Sequence, residues 1–163
     1  MARSRDVMMV ALLLLTAGCT GGGAPARQEP SRAATAAVPC ASRIFQGELP
    51  VWARAGFSPD AEPHHVFSGR GDMVAVLFGY PLASPPRPNR GNKILWVSRL
   101  PLLPSNPLRI EARLGGTGAP VRTKVSGGPG PSLIDLPSPG CWRLKLSWSS
   151  HTDFIDLEYV APG

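Results

Sequence analysis

From Trp142 to Trp148 the chain alternates without a break. Trp142, Leu144, Leu146 and Trp148 share one parity, and Arg143, Lys145 and Ser147 the other. Successive side chains of a strand point to opposite faces, so a period of two describes a strand with one face in a core and one in water. The pattern recurs three times. Leu108, Ile110, Ala112 and Leu114 alternate with Arg109, Glu111 and Arg113; Val121, Thr123 and Val125 with Arg122 and Lys124; Ile155, Leu157 and Tyr159 with Asp156 and Glu158. Turns at Gly115-Gly116, Gly127-Gly128-Pro129-Gly130 and Pro137-Ser138-Pro139-Gly140 separate these strands.

Nineteen prolines and eighteen glycines leave few uninterrupted windows for a helix. The continuous apolar run Met73 to Tyr80 has the length, β-branching and aromatics of a buried strand, and Ser68 to Asp72 before it reads as a turn. Lys93 to Ser98 is a second such run. The fold expected is all-β: a single Ig-like antiparallel β-sandwich, with a small barrel as the alternative that pattern alone leaves open. The last two strands are expected to form a hairpin with Ser149 to Thr152 as its loop. That register sets Trp148 against Asp153, Leu146 against Ile155, Leu144 against Leu157 and Trp142 against Tyr159, with Lys145 against Asp156 and Arg143 against Glu158 outside.

The N-terminus sets the expected address. Arg3 and Arg5 precede an apolar run of nine residues, Val7 to Leu15. At about 1.5 Å per residue that run covers only half of a ~30 Å hydrocarbon core, so it reads as the apolar region of a signal peptide. It ends in Leu15-Thr16-Ala17-Gly18-Cys19, which resembles a bacterial lipobox, with Thr16 where a leucine is usual. The resemblance implies cleavage after residue 18 and a lipid on Cys19. Residues 19–39 are rich in Gly, Ala, Pro and Ser and are expected to be a flexible tether spanning roughly 25 Å, with residues 40–163 as the domain. Removing Arg3, Arg5 and Asp6 takes the charge from 17 basic against 11 acidic residues to 15 against 10, or +5. The basic residues are scattered, without interleaved aromatics, so nucleic acid is not an expected partner; anionic lipid or wall polymer is.

Cys40 and Cys141 remain after Cys19 is used. An even pair in an oxidising compartment suggests a disulfide; two free thiols or two metal ligands are the alternatives, and the pair lacks zinc-like C-x-x-C spacing. His64, His65 and His151 are the candidate metal ligands, with solvated loop residues as the other reading. Adjacent histidines on an extended chain point to opposite faces, which makes His64 and His65 a poor joint site, and no cofactor is expected. No G-x-S-x-G elbow and no phosphate loop occurs, and the carboxylates Asp156 and Glu158 lie on the surface parity, so an enzyme is not expected. The Pro-rich segment Tyr80 to Gly91 carries Tyr80, Arg87 and Arg90 on a stiff backbone. It is either a rigid crossover between sheets or a ligand loop with little entropy to lose on binding.

Taken together, the lipobox, the tether, Leu49-Pro50-Val51-Trp52-Ala53, Asn92 to Val97 and Gly140-Cys141-Trp142-Arg143 resemble a group of uncharacterised small lipoproteins of high-GC actinobacteria. The resemblance implies an Ig-like sandwich held on the extracytoplasmic face of the cell membrane, and it carries over no catalytic residue. The function expected is a binding or structural module of the cell envelope, meeting an envelope protein or polymer. The alternative is a metal-binding or metal-dependent envelope protein using the histidines.

Overall fold

The computed structural model describes residues 40–163. The expected signal peptide and tether, and Cys19 as the expected lipidation residue, lie outside them. Nine strands follow one another: β1 Phe45–Gln46, β2 His64–Phe67, β3 Met73–Leu77, β4 Lys93–Ser98, β5 Leu108–Leu114, β6 Val121–Val125, β7 Pro131–Leu133, β8 Gly140–Trp148 and β9 His151–Tyr159. A short 3-10 helix, Val51–Ala53, lies between β1 and β2. The strands form two antiparallel sheets, in the orders β1-β2-β3-β4-β7 and β6-β5-β8-β9. Neither closes on itself, so the fold is the expected sandwich and not a barrel.

The alternating residues supply the core. Ile110, Ala112, Trp142, Leu144, Leu146, Ile155 and Leu157 from the four-stranded sheet pack against Val66, Met73, Ala75, Leu77, Ile94 and Trp96 from the five-stranded one. The five-stranded sheet has a second apolar layer on its back. Leu49, Trp52, Ala53 and Phe57 cover Val74, Val76, Phe67, Leu95 and Val97. This explains why Met73–Leu77 does not alternate: all five of its residues are buried, because both faces of β3 are covered. Among the described residues the outer face of the four-stranded sheet has no such cover, and it keeps its charged parity.

The final hairpin differs from its expected register by two residues. Trp148 pairs with His151, Leu146 with Asp153, Leu144 with Ile155, Trp142 with Leu157, Lys145 with Phe154 and Arg143 with Asp156. The loop is Ser149-Ser150 alone, with Ser149 at φ 49°. Two-residue turns with a left-handed residue match the twist of the flanking strands, so the tight turn wins over the four-residue loop. A slip of two preserves every face assignment, because side chains alternate with period two. It also brings Arg143 to Asp156, where Nε and Nη2 donate to the two carboxylate oxygens at 2.9 and 3.0 Å.

Candidate functional site

The chain enters the domain at Cys40, which is bonded to Cys141 of β8 with the Cα atoms 5.2 Å apart. The following residues run along the free edge of β9. Ser42 Oγ accepts the Asp156 N–H at 2.9 Å, pairing a backbone donor that an edge strand otherwise leaves open. Ile44 then packs onto the core, and β1 joins β2. This strap forms one wall of a cleft of about 340 Å³.

The opposite wall begins where β3 ends. The chain turns at Phe78 and Gly79, and Gly79 N–H donates to the Lys93 carbonyl at 3.1 Å. Only glycine fits there, since a Cβ would stand 2.6 Å from the Gly91 carbonyl oxygen. Tyr80 follows, its ring stacked on His64 with centroids 4.1 Å apart. Leu82 is buried beyond it. Ser84 N–H donates to the Val160 carbonyl at 3.0 Å and Val160 N–H to the Leu82 carbonyl at 2.9 Å, so the segment continues the edge of β9. Asn92, also buried, clamps the segment from behind. Its Oδ1 accepts the Ala83 N–H at 2.8 Å, and its Nδ2 donates to the Ala83 carbonyl at 2.9 Å and to Asp135 Oδ1 at 2.8 Å. Ser84 Oγ donates to the Leu136 carbonyl at 2.6 Å.

The first half of the Pro-rich segment is therefore a fixed structural element that presents Tyr80 to the cleft. Its two arginines are placed elsewhere. Arg87 turns back, Nη1 donating to the Pro81 carbonyl at 2.9 Å, and Arg90 stands exposed at the loop tip. Neither lines the cleft.

The floor is apolar, from Ile44, Leu77, Leu82 and Leu157; the rim carries Ser42, Tyr80, Asp156 and Glu158. Asp156 is paired with Arg143, whose guanidinium is held above its ordinary pKa by that hydrogen-bonded carboxylate. Glu158 is exposed and has no basic partner among the described residues, so it gives the rim a negative charge. The volume lies within the range of small-ligand sites, and an apolar floor with few polar rim groups is their usual lining. Such a site suits a compact apolar group bearing a donor or a positive charge.

The three histidines have separate surroundings. His64 stacks on Tyr80. His65 is buried on the other face of β2, between Phe45 and Phe67, with Nδ1 3.0 Å from the Pro63 carbonyl oxygen. His151 opens β9 beside the Trp148 ring, at 5.6 Å between centroids. All three lie in strands, so the reading of them as solvated loop residues does not hold. Among the described residues no three His, Cys, Asp or Glu side chains converge on a point where a metal ion would sit.

Sequence reasoning found Tyr80, Cys40 and Cys141 but missed Ser42, Ile44, Leu82 and Glu158 as parts of one site. The signal that would have found the first two is the disulfide: tying Cys40 to the start of β8 forces the next residues along β9. No protein-family model, curated protein or solved structure matches the chain.

Proposed function

We propose that the protein is a lipid-anchored, extracytoplasmic binding module of the cell envelope, and that the cleft between the strap and Tyr80 is its ligand site. The observation that carries the reading is the bond between Cys40 and Cys141. Such bonds persist in oxidising compartments outside the cytoplasm, in agreement with the signal-peptide and lipobox pattern. The bond also fixes the chain's entry beside the cleft, so the tether holds the site at a defined place on the domain.

Two measurements test the two halves of the reading. In detergent phase separation the wild-type chain is expected in the detergent phase, and Cys19→Ser is expected either as unprocessed precursor or as a soluble product. Identical aqueous partitioning of both proteins refutes the anchor. For the cleft, a photo-reactive residue at position 80 is expected to give a discrete adduct in intact envelopes that the same residue at Ser150, on the β8–β9 turn at the other end of β9 from the cleft-lining Asp156 and Glu158, does not. Equal labelling at both positions refutes the site.

A further inference from the structure

The outer face of the four-stranded sheet carries more cations than its acids neutralise. Its cations are Arg109, Arg113, Arg122, Lys124, Arg143 and Lys145, against three acids: Glu111, shared by Arg113 at 2.7 Å and Arg122 at 3.3 Å, Asp156, held by Arg143, and the exposed Glu158 opposite Cys141. Arg109, Lys124 and Lys145 are exposed and have no carboxylate partner among the described residues. They are also neighbours. Lys124 lies directly opposite Arg109 across the β5–β6 ladder. Ser147 lies opposite Arg109 on the other side, which makes Lys145 its diagonal neighbour, at roughly 7–8 Å; Lys145 itself lies opposite Glu111, whose carboxylate is already taken by Arg113 and Arg122. Like charges set directly opposite one another weaken a ladder, so the face is under electrostatic load that an anion relieves. Beside Lys145, and paired with it, Phe154 is 47% exposed.

The position of this face relative to the chain's entry is the second observation. Cys141 has the same strand parity as Arg143 and Lys145, so the disulfide to Cys40 is made on the charged face and not in the core. Four residues of strand, about 13 Å, separate Cys141 from Lys145. The chain therefore enters the domain on the face that carries the free cations.

We propose that this face docks on an anionic bilayer, with Arg109, Lys124 and Lys145 against lipid phosphates and Phe154 in the interfacial layer. The proposal rests on the reading that the domain is tethered to a membrane. A tether rooted on this face holds the three cations near the surface, and an exposed aromatic among cations suits the headgroup–acyl boundary.

The test removes the lipid, so that docking and anchoring fail separately. The chain from residue 19 onward, with Cys19→Ser, is floated with vesicles of equal parts phosphatidylglycerol and phosphatidylcholine, and with phosphatidylcholine alone. Binding to the anionic vesicles only, weakening as salt rises, is the expected result. Each cation near such a surface contributes roughly fivefold, so Arg109→Glu/Lys124→Glu/Lys145→Glu is expected to weaken binding by at least about a hundredfold. The corresponding triple glutamine variant, with a thermal midpoint matched to wild type, is expected to lose about a hundredfold and separates charge from folding. Phe154→Ser is expected to lose several-fold, most clearly at high salt. Wild-type chain that ignores anionic vesicles, or triple variants that float as wild type does, overturn the proposal. So does displacement by soluble polyglycerol phosphate with Phe154→Ser without effect, which assigns the face to a polymer. Aqueous partitioning of the natural lipoprotein overturns the anchor and leaves the vesicle result standing.

Discussion

Asp153 of β9 joins the two sheets through Ser68: Ser68 Oγ donates to its carboxylate at 2.6 Å, in a site where both residues are buried. The same carboxylate accepts the Arg70 N–H at 3.1 Å and the Phe154 N–H at 2.8 Å, while Ser68 Oγ accepts the Met73 N–H at 3.0 Å. One inward-facing acid thus organises the β2–β3 turn against the far sheet. Asp153→Ala leaves several buried donors without a partner and is expected to cost about 2–4 kcal/mol in chemical denaturation. Asp153→Asn keeps the acceptor oxygen and is expected to cost less. Equal stability of Asp153→Ala and wild type would show that the turn does not depend on this bridge.

The observed hairpin register makes a sharp contrast between two acids. Arg143 is bidentate on Asp156, whose side chain is 9% exposed, whereas Glu158 lies opposite Cys141. A double-mutant cycle on Arg143 and Asp156 is expected to give a coupling of about 0.5–1 kcal/mol, and one on Arg143 and Glu158 close to zero. Core and surface parities of β8 separate more strongly. Leu144→Ala is expected to cost about 2–5 kcal/mol and Lys145→Ala less than about 0.5 kcal/mol.

Removing the disulfide releases a loop whose ends are 101 residues apart in sequence. Cys141→Ser is expected to destabilise the domain by about 4–5 kcal/mol on chain-entropy accounting. Residues 40–46 are expected to lose amide protection first, because the Ser42 hydrogen bond, the Ile44 side chain and the short β1 are what then hold them to the sandwich. Unchanged exchange in that segment would place its stability elsewhere.

Tyr159 gives an alkaline signature. Its hydroxyl donates to the Ile134 carbonyl at 2.7 Å in the core. Burial, and then the nearby Asp135 charge, push its pKa well above the ordinary phenol value. The folded state thus holds the proton more tightly than the unfolded chain. The stability contributed is whole below the unfolded value of about 10 and is lost as pH rises through the folded one. Tyr159→Phe is expected to cost about 1–2 kcal/mol at neutral pH and to flatten the alkaline limb of the stability profile. Phenolate absorbance from Tyr159 is expected only together with unfolding.

Two kinds of strand were legible in the sequence: β3 and β4 as continuous apolar runs between turn signals, and those with one wet face as alternating ones. β5, β6, β8 and β9 alternate because the outer side of their sheet meets solvent. β2 did not reveal itself, since His65 and Val66 are buried on opposite sides and no polar parity remains. β1 and β7 are too short to establish a period, and β7 opens with Pro131 at a sheet edge, where a missing donor is tolerated. The register of the last hairpin depended on turn geometry at Ser149, for which the serines carry no Asn-Gly signal. The cleft was legible only at Tyr80 and Cys40, because its other wall is made by residues brought alongside β9 through a bond between cysteines 101 residues apart.

That bond also sets how the domain bears force. A pull arriving through the residues before Cys40 does not peel β1, a two-residue strand at a sheet edge, away from β2. It passes through the sulfur bridge into β8, which is hydrogen-bonded along its length to β5 on one side and β9 on the other. Traction therefore enters at the best-supported strand of the sandwich. The strap and the Pro-rich segment belong to the covalent loop between the two cysteines, so they sit outside that load-bearing line, whereas the cleft's other wall, Asp156 to Glu158 of β9, lies on it.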